Sequence, residues 1–343
     1  MIHSIEPEIY VGLDYHSKTV QAAILDRGGA VLANRSLPND VEAVAAFCGR
    51  HGRVRGVAIE ACCGAADFAH RLIESTGWST DLAHPGFVGR MKQSPDKSDH
   101  SDAHVLADLS RVGYLPRVWL APTYIRELRH LDSARDGIAA DIRRSKQRVQ
   151  ALLREQRIRR PENVGNPWTL SWLAWLREVA SFSAAARIAA MLELELLAVL
   201  VRQRREIERQ LRKATKDDPI VAALMSEPGI GEVIAWKLRA RIGRFDRFRR
   251  GKQLARFCGL SPRNASSGQR QADGGLIRAC DKELRAMVLQ AAHQLRMRQT
   301  RWSILFARLV RKGAPRNVAV AAVANRWLRG LFHRMKEVSM TAA

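Results

Sequence analysis

Four acidic residues carry the chemistry that this sequence suggests first. Asp99 and Asp102 stand three residues apart in the segment KSDHSDAHVLADL, residues 97–109. If this segment is helical, both carboxylates lie on one face, about one turn apart. Two more acids, Asp14 and Glu60, end the apolar runs IYVGLD and VRGVAIE. Because like charges repel unless a cation offsets them, the four acids predict a site for Mg²⁺ (or Mn²⁺) of the kind that assists phosphoryl transfer.

The pattern of apolar residues predicts the elements that position these acids. Strands are expected at residues 9–14, 19–25, 30–37, 56–60 and 79–83, and helices at 39–50, 65–75 and from about Ser98 or Asp99 onward. Three strands joined by tight turns, followed by alternating helices and strands, predict an α/β domain with a mixed sheet and helices on its faces. The strands of Asp14 and Glu60 can then be neighbours, and the helix of Asp99 packs across the same end.

Charge is unevenly distributed along the 343 residues. The net charge is +23 in total, but residues 1–200 contribute only +2 and residues 201–343 contribute +21. A strongly basic second half predicts a polyanionic partner. No apolar run approaches the ~20 residues that span a bilayer, so no membrane partner is expected.

The five cysteines, at positions 48, 62, 63, 258 and 280, form no CxxC pair. An odd and scattered set is typical of reduced thiols in a cytoplasmic protein. The first ten residues lack a basic segment followed by an apolar one, so no signal peptide is predicted.

Two long helices are predicted in the middle of the chain, at about residues 123–159 and 184–213. The breaker PENVGNP and a segment with three tryptophans, residues 168–176, separate them. Such a pair favours a helical hairpin or a coiled coil between subunits, and packing within one subunit is the open alternative.

The last part of the chain contains a Pro-Gly-Ile-Gly turn at residues 228–231, between two predicted helices. This is typical of a helix-hairpin-helix, in which glycines let backbone N–H groups approach phosphates; a plain turn between helices is the alternative. Basic residues interleaved with aromatic ones follow the turn. The candidates for nucleic-acid contact are Gly229, Gly231, Lys237, Arg241, Arg244, Arg263, Arg270 and Arg278.

The acids in the contexts VGLD, IEACCG and KSDHSDA resemble those of the DEDD insertion-sequence transposases, a family that includes Piv-like DNA invertases and bridge-RNA-guided recombinases. The segments GLSPR, SSG and GGLI, at residues 259–277, are similar to the C-terminal pattern of the same family. The resemblance implies an RNase H/RuvC-like first domain. It also implies a catalytic serine, which the match puts at Ser267, with Ser266 as the second choice.

The resemblance carries further expectations about mechanism and partners. The serine attacks a DNA phosphodiester and forms a covalent 5′-phosphoserine, and the acids of one subunit face the serine of another. Expected partners are double-stranded donor and target DNA, a non-coding guide RNA and further copies of the chain. The expected division is a DEDD domain at 1–155, a helical assembly region at 156–217 and a mainly helical transposase domain at 218–343.

Two other functions remain open from the sequence. A hydrolytic nuclease of the junction-resolvase type would use the acids alone, and a scaffold that binds nucleic acid would use neither the acids nor the serine. His100 and His104 have a spacing that suits zinc, but no third ligand is apparent, so structural or solvent-facing roles are expected for them.

Overall fold

The structure, a computed structural model, describes residues 6–91, 98–264, 273–298 and 300–341. The chain divides into two compact units, Met1–Pro122 and Thr123–Ala343. This boundary assigns the long helix after Pro122 to the second unit, whereas the sequence analysis places it in a first domain of residues 1–155. The predicted three-part division stays a prediction.

The first unit is built on a six-stranded mixed sheet. Its strands are β1 Glu8–Tyr15, β2 Thr19–Asp26, β3 Val31–Pro38, β4 Arg53–Glu60, β5 Thr80–Ala83 and β6 Arg117–Val118. They lie in the order β3-β2-β1-β4-β5-β6. β1, β2 and β3 pair antiparallel, β4 and β5 continue parallel to β1, and β6 is antiparallel. The predicted mixed sheet is confirmed.

Helices cover both faces of this sheet. They are α1 Val41–Gly49, α2 Ala65–Thr76, α3 Pro85–Met91 and α4 Asp99–Arg111. Val11 and Leu13 of β1 point into the core beneath α1 and α2. On the other face, the alanines of α4 pack on β2, and Leu106 packs on Ala58 of β4. Alternation along β1 therefore turns Gly12 and Asp14 toward α4.

Two elements of the first unit were not predicted. Pro85 was predicted only as the end of a strand, but it is also the first residue of α3. Proline suits that position because its missing N–H has no helical partner there. The two-residue strand β6 is too short to show a period in the sequence.

The second unit is mainly helical, as predicted, and begins with a helical hairpin. α5 Thr123–Glu155 and α7 Ala184–Ala214 pack against each other, with α6 Leu170–Glu178 between them in sequence. Trp172 and Trp175 of α6 are buried against α5 and α7. One chain thus forms a hairpin from its own helices, while Ile188 and Leu192 of α7 stay exposed.

The rest of the second unit consists of short helices, a small hairpin and three longer helices. The elements are α8 Pro219–Met225, α9 Glu232–Ile242, α10 Gly251–Phe257, β7 Pro262–Asn264, β8 Asp273–Leu276, α11 Lys282–Arg298, α12 Thr300–Arg311 and α13 Arg316–Thr341. β7 and β8 pair antiparallel. Among the described helices, none is both long and apolar enough to cross a bilayer.

Candidate functional site

The register of the sheet brings two of the four acids side by side. β1 and β4 are parallel neighbours, with Gly12 beside Ala58 and Leu13 beside Ile59. The next positions on the two strands are Asp14 and Glu60. Both acids lie at the carboxyl end of the sheet, on the face that α4 covers, because they follow Gly12 and Ala58 by two residues.

Gly12 allows α4 to approach this end of the sheet closely. A Cβ atom added at Gly12 would lie 2.0 Å from the carbonyl oxygen of Ala103 and 2.4 Å from the amide nitrogen of Ala107. Real Cβ atoms do not approach backbone atoms to such distances, so any larger residue would push the helix away. Glycine at position 12 therefore permits the short distance between β1 and the helix that carries Asp99 and Asp102.

The first turn of α4 contains the other two acids. Ser98 caps the helix by accepting a hydrogen bond from the Ser101 amide, 3.2 Å long, through its hydroxyl oxygen. Acidic side chains in the first turn are stabilised by the unpaired N–H groups at that end of the helix. Asp99 is exposed, whereas Asp102 is buried, with 5% of its surface accessible. The predicted helix thus presents one acid to solvent and one to the sheet.

A histidine joins these acids. Nε2 of His16 lies 3.2 Å from Oδ2 of Asp14 and 3.3 Å from Oδ2 of Asp99. One ligand atom from each of the three residues lies within 4.8 Å of the others, a spacing that a metal ion can bridge. His16 was not predicted, and the two histidines that were considered for a metal, His100 and His104, do not belong to this group. The spacing of Asp14 and His16 could have indicated this, because residues two apart in an extended segment share a face.

The electrostatics of Asp14 show why this cluster suits a cation. Burial raises the pKa of Asp14 above its usual range, the charges of Asp99 and Asp102 raise the pKa further, and His16 opposes the rise. The pKa of the Cys62 thiol is also raised, first by burial and then by the charges of Glu60 and Asp14. Cys62 lies two residues after the end of β4, and the charges of both strand-end acids reach its thiol. A divalent cation would offset this concentration of negative charge.

The donor set fits such an ion. Carboxylate oxygens are the ligands that Mg²⁺ and Mn²⁺ prefer, and an imidazole nitrogen is tolerated by Mn²⁺ and the later first-row ions. The acids come from two strands and one helix, so the fold holds them in place before any ion binds.

The second unit contains the predicted turn between helices. Gly229 has φ +85°, which favours glycine, and Gly231 precedes α9 with no side-chain cap. No atom lies within 4 Å of where a Cβ of Gly231 would be, so the approach to the start of α9 is open. A cleft of about 700 Å³ borders this point and includes residues from α5, α9 and α11.

The structure places the predicted nucleic-acid contact Lys237 among carboxylates of the second unit. Its side chain is almost fully buried, and its ammonium lies 3.2 Å from a carboxylate oxygen of Asp132 and also contacts Asp136. Burial lowers the pKa of Lys237, but these carboxylates outweigh burial, and the net pKa is raised. Lys237 is therefore paired with carboxylates inside the unit, and its contact with a nucleic acid stays a prediction. The sequence could not reveal this, because Asp132 lies more than a hundred residues away.

The other predicted basic residues differ in whether they form ion pairs with carboxylates. Arg241 contacts Asp132 at 3.1 Å and Glu283 at 3.3 Å, and Arg244 contacts Asp246 at 2.6 Å. Arg263 and Arg278 are exposed. The predicted residues Ser266, Ser267 and Arg270 lie outside the described residues.

The chain on either side of residues 265–272 is well anchored. Pro262 of β7 pairs with Leu276 of β8, and the Ile277 amide donates to the Ser261 carbonyl at 3.1 Å. The side-chain amide of Asn325 on α13 donates to the Leu260 carbonyl at 2.8 Å. The ends of the segment that contains both candidate serines are thus fixed to the helical unit.

Comparison with known protein families gives two matches in different parts of the chain. Residues 11–157 match a transposase family of the DEDD type named for the element IS110. Residues 221–307 match the transposase IS116/IS110/IS902 family. The first match contains all four acids, and the second contains the turn before α9 and both candidate serines. Together the two matches cover more than half of the chain.

Similar individual proteins are transposases as well. The transposase for insertion sequence element IS1328 of Yersinia enterocolitica is 26% identical over 80% of this chain and 81% of its own length. A probable family 20 transposase of Pseudomonas aeruginosa is 26% identical over 94% of this chain and 95% of its own length. The transposase for IS1111A of Coxiella burnetii is 24% identical over 83% and 77% of the two lengths.

Proposed function

The chain belongs to the DEDD-type insertion-sequence transposase family, and from this premise we propose that it cuts and rejoins DNA through a serine nucleophile assisted by its acidic cluster. The family establishes an enzyme that acts on DNA. The observation that carries the finer proposal is the convergence of Asp14, Asp99 and the strand-end position of Glu60 at one edge of the sheet. The strand order and the acids at the carboxyl ends also support an RNase H/RuvC-like fold.

The proposed step divides the work between two groups of residues. The hydroxyl of Ser267 loses its proton and forms a bond to phosphorus, while the bond to the 3′ oxygen breaks and that oxygen takes up a proton to leave as a 3′ hydroxyl. The 5′-phosphoserine keeps the energy needed for rejoining. A serine hydroxyl is a weak nucleophile at neutral pH and needs activation. Asp14, Glu60, Asp99 and Asp102 would hold Mg²⁺, which supplies positive charge beside the phosphate. The chain's own contribution is the rigid placement of these acids by β1, β4 and α4.

The decisive test compares the acids and the serine by substitution. Glu60→Gln keeps the size of the side chain and removes its charge. We expect strand cleavage of a labelled DNA junction, supplied with the RNA from the flanks of the element, to fall more than about 100-fold, since even outer partners of metal ligands are worth 10–100-fold. Glu74→Gln, an exposed acid of α2 in the same unit, is the matched control and should leave cleavage unchanged. Unchanged cleavage in Glu60→Gln would exclude the acidic site.

The serine separates transposition from hydrolysis. Ser267→Ala should abolish both cleavage and the covalent protein–DNA adduct, which a denaturing gel detects. Ser266→Ala should keep both if Ser267 is the nucleophile. Continued cutting by the double variant would instead favour a hydrolytic nuclease of the junction-resolvase type. Full activity in both acid and serine variants would favour a scaffold that only binds nucleic acid.

We also propose that the active form contains more than one copy of the chain. Four apolar residues of α7 that stay exposed at helical spacing support this: Ile188, Leu192, Leu196 and Val199. Leu192→Lys should lower the mass measured by light scattering, whereas Arg202→Glu, farther along the same helix, should not. If the acids of one copy serve the serine of another, mixing Glu60→Gln with Ser267→Ala restores part of the activity. An unchanged mass in Leu192→Lys contradicts this assembly face.

A non-coding guide RNA and two DNA duplexes are the proposed nucleic-acid partners. The excess of basic residues in the second unit supports polyanion binding, and the resemblance to bridge-RNA-guided recombinases supports an RNA. Copurification of a defined RNA from the flanks of the element, resistant to DNase and lost after RNase, tests the RNA. Specific cleavage by protein freed of all RNA would contradict it.

A further inference from the structure

His16 occupies a turn that the rest of the first unit holds in place. The turn connects β1 to β2, and the His16 amide donates to the Thr19 carbonyl at 2.9 Å. Asn39 donates three times to the same turn: from its side chain to the His16 carbonyl at 2.8 Å and the Ser17 carbonyl at 3.4 Å, and from its backbone to the Lys18 carbonyl at 3.0 Å. A residue on an exposed hairpin tip usually moves freely, but these bonds fix the backbone that carries the imidazole.

The imidazole is directed at the acids rather than at solvent. Nε2 lies within 3.3 Å of one carboxylate oxygen each of Asp14 and Asp99, although nearly half of the side chain is exposed. The three side chains come from three separate elements: Asp14 from β1, His16 from the turn and Asp99 from α4. Convergence of a nitrogen and two oxygens from separate elements is the arrangement of a mixed metal site.

We propose that His16 is a ligand of the divalent ion, binding through Nε2 beside Asp14 and Asp99. This inference rests on the proposed function, because it adds a nitrogen to the acidic site. A nitrogen donor improves binding of Mn²⁺ more than that of Mg²⁺, which prefers oxygen and readily keeps water instead. The site therefore binds Mn²⁺ more tightly than Mg²⁺, and His16 sets that difference.

A different role for the same imidazole makes the opposite prediction. If His16 served as a positive charge that neutralises Asp14 and Asp99 in place of an ion, it would compete with metal. Removing it would then strengthen metal binding. If His16 is a ligand, removing it weakens binding, and more for Mn²⁺ than for Mg²⁺. The sign of the change decides between the two roles.

The experiment measures binding of Mn²⁺ and Mg²⁺ to the full-length protein without DNA, by isothermal titration. His16→Ala should weaken Mn²⁺ binding by about tenfold or more, in line with the cost of disturbing a metal site. It should weaken Mg²⁺ binding less, so that the ratio of the two affinities falls. His100→Ala is the matched control, since this exposed histidine lies in the first turn of α4 outside the cluster. It should change neither affinity.

A spectroscopic measurement on the unaltered protein gives a second, independent readout. Electron spin echo envelope modulation of bound Mn²⁺ detects a directly coordinated imidazole nitrogen. We expect the ¹⁴N modulation in the unaltered protein and in His100→Ala, and its loss in His16→Ala. Thermal unfolding without metal checks that His16→Ala is folded.

The outcomes separate this inference from the proposed function. Mn²⁺ binding that depends on Asp14 but shows no ¹⁴N modulation overturns the role of His16 and leaves the acidic site standing. Tighter binding in His16→Ala also overturns it and assigns the imidazole a neutralising role. If the unaltered protein binds no Mn²⁺, or if Asp14→Asn binds it equally well, the acidic site itself is contradicted, and the inference falls with it.

Discussion

The two units of this chain use charged residues in opposite ways. Residues 1–122 carry a net charge of −2, and residues 123–343 carry +25. The first unit concentrates acids at one edge of a sheet, where burial and mutual repulsion raise the pKa of Asp14. The second unit distributes bases over many helices. A polyanion is attracted by the second pattern and repelled by the first unless a cation is present. The difference is what the proposed function requires, with a cation site in the first unit and binding of a polyanion by the second.

The charge of the second unit overstates the surface that it offers to a nucleic acid. Lys237 and Arg241 share carboxylates of α5 and α11, and Arg239 contacts Asp218 at 2.6 Å. The pairs with Asp132 connect α9 to α5, which lies far away in sequence, and the pair with Asp218 connects α9 to the start of α8. All of these pairs stabilise the unit. Net charge therefore indicates the kind of partner, whereas the structure decides which bases are available to it.

The largest expected effect is a loss of stability when the buried base Lys237 of the second unit is replaced. Lys237→Met keeps the volume of the side chain but removes the ammonium that Asp132 and Asp136 share, and Arg241 remains as the cation beside Asp132. We expect the free energy of unfolding to fall by about 3 kcal/mol, the lower end of the usual cost of breaking a buried ion pair, because Arg241 still offsets part of the charge. The raised pKa of Lys237 keeps its charge, and thus this stabilisation, through neutral pH, and the stabilisation is lost as pH rises above the ordinary lysine range.

Urea unfolding of the full chain measures this effect. Lys252→Met, at an exposed position of α10, is the control and should change the free energy of unfolding by less than about 0.5 kcal/mol. If Lys237→Met unfolds like the unaltered protein but binds DNA more weakly, Lys237 contacts nucleic acid, and the contrast between the units is smaller than described.

The next effect concerns how closely the first unit holds its acids. In Gly12→Ala the new Cβ would overlap the backbone of α4, so the helix must move. We expect a loss of about 1–3 kcal/mol, as for other overpacked sites, together with weaker Mn²⁺ binding because Asp99 and Asp102 shift. Gly89→Ala in α3, where no atom lies within 4 Å of the new Cβ, is the control and should be neutral or slightly stabilising. Equal stability of both variants would show that α4 does not depend on Gly12.

The sequence predicted the first unit better than the second for a physical reason. The positions of Asp14, Glu60 and Asp99 at two strand ends and a helix start were predictable because strand periodicity and helix spacing are local rules. The place of His16 beside the acids was not predicted because it depends on a turn held by Asn39, which no period reveals. The ion pair of Lys237 was not predicted because Asp132 is distant in the chain, and the predicted role of Ser267 depends on the resemblance alone.

A smaller effect would sharpen which bases contact nucleic acid. Arg278 is exposed between β8 and α11, whereas Arg209 is held by Glu206 on the same helix at 2.6 Å. If Arg278 meets a phosphate, Arg278→Gln lowers the slope of log affinity against log salt concentration by about 1. Arg209→Gln should leave the slope unchanged. Titration of labelled duplex DNA at several salt concentrations measures both slopes, and identical slopes would remove Arg278 from the interface.

The smallest expected effect is a rise in melting temperature on substitution of a proposed metal ligand. Because the pKa of Asp14 is raised in the folded protein, ionising this residue costs stability once pH exceeds its ordinary range. Asp14→Asn removes that cost, so the metal-free variant should melt higher at pH 7, by about 2 °C. The gain should shrink as pH falls to about 4, where Asp14 becomes protonated in both states.

Differential scanning calorimetry with and without Mn²⁺ tests this rise. Mn²⁺ should raise the melting temperature of the unaltered protein, since it binds the folded state, and should have little effect on Asp14→Asn. Asp26→Asn, in the hydrogen-bonded turn after β2, is a poor control because its carboxylate accepts from the Ala30 amide. Glu42→Gln, an exposed acid of α1, is suitable and should show no such rise. A lower melting temperature for metal-free Asp14→Asn would mean that the acids are stabilised by the fold itself, and the need for a cation at this edge would disappear.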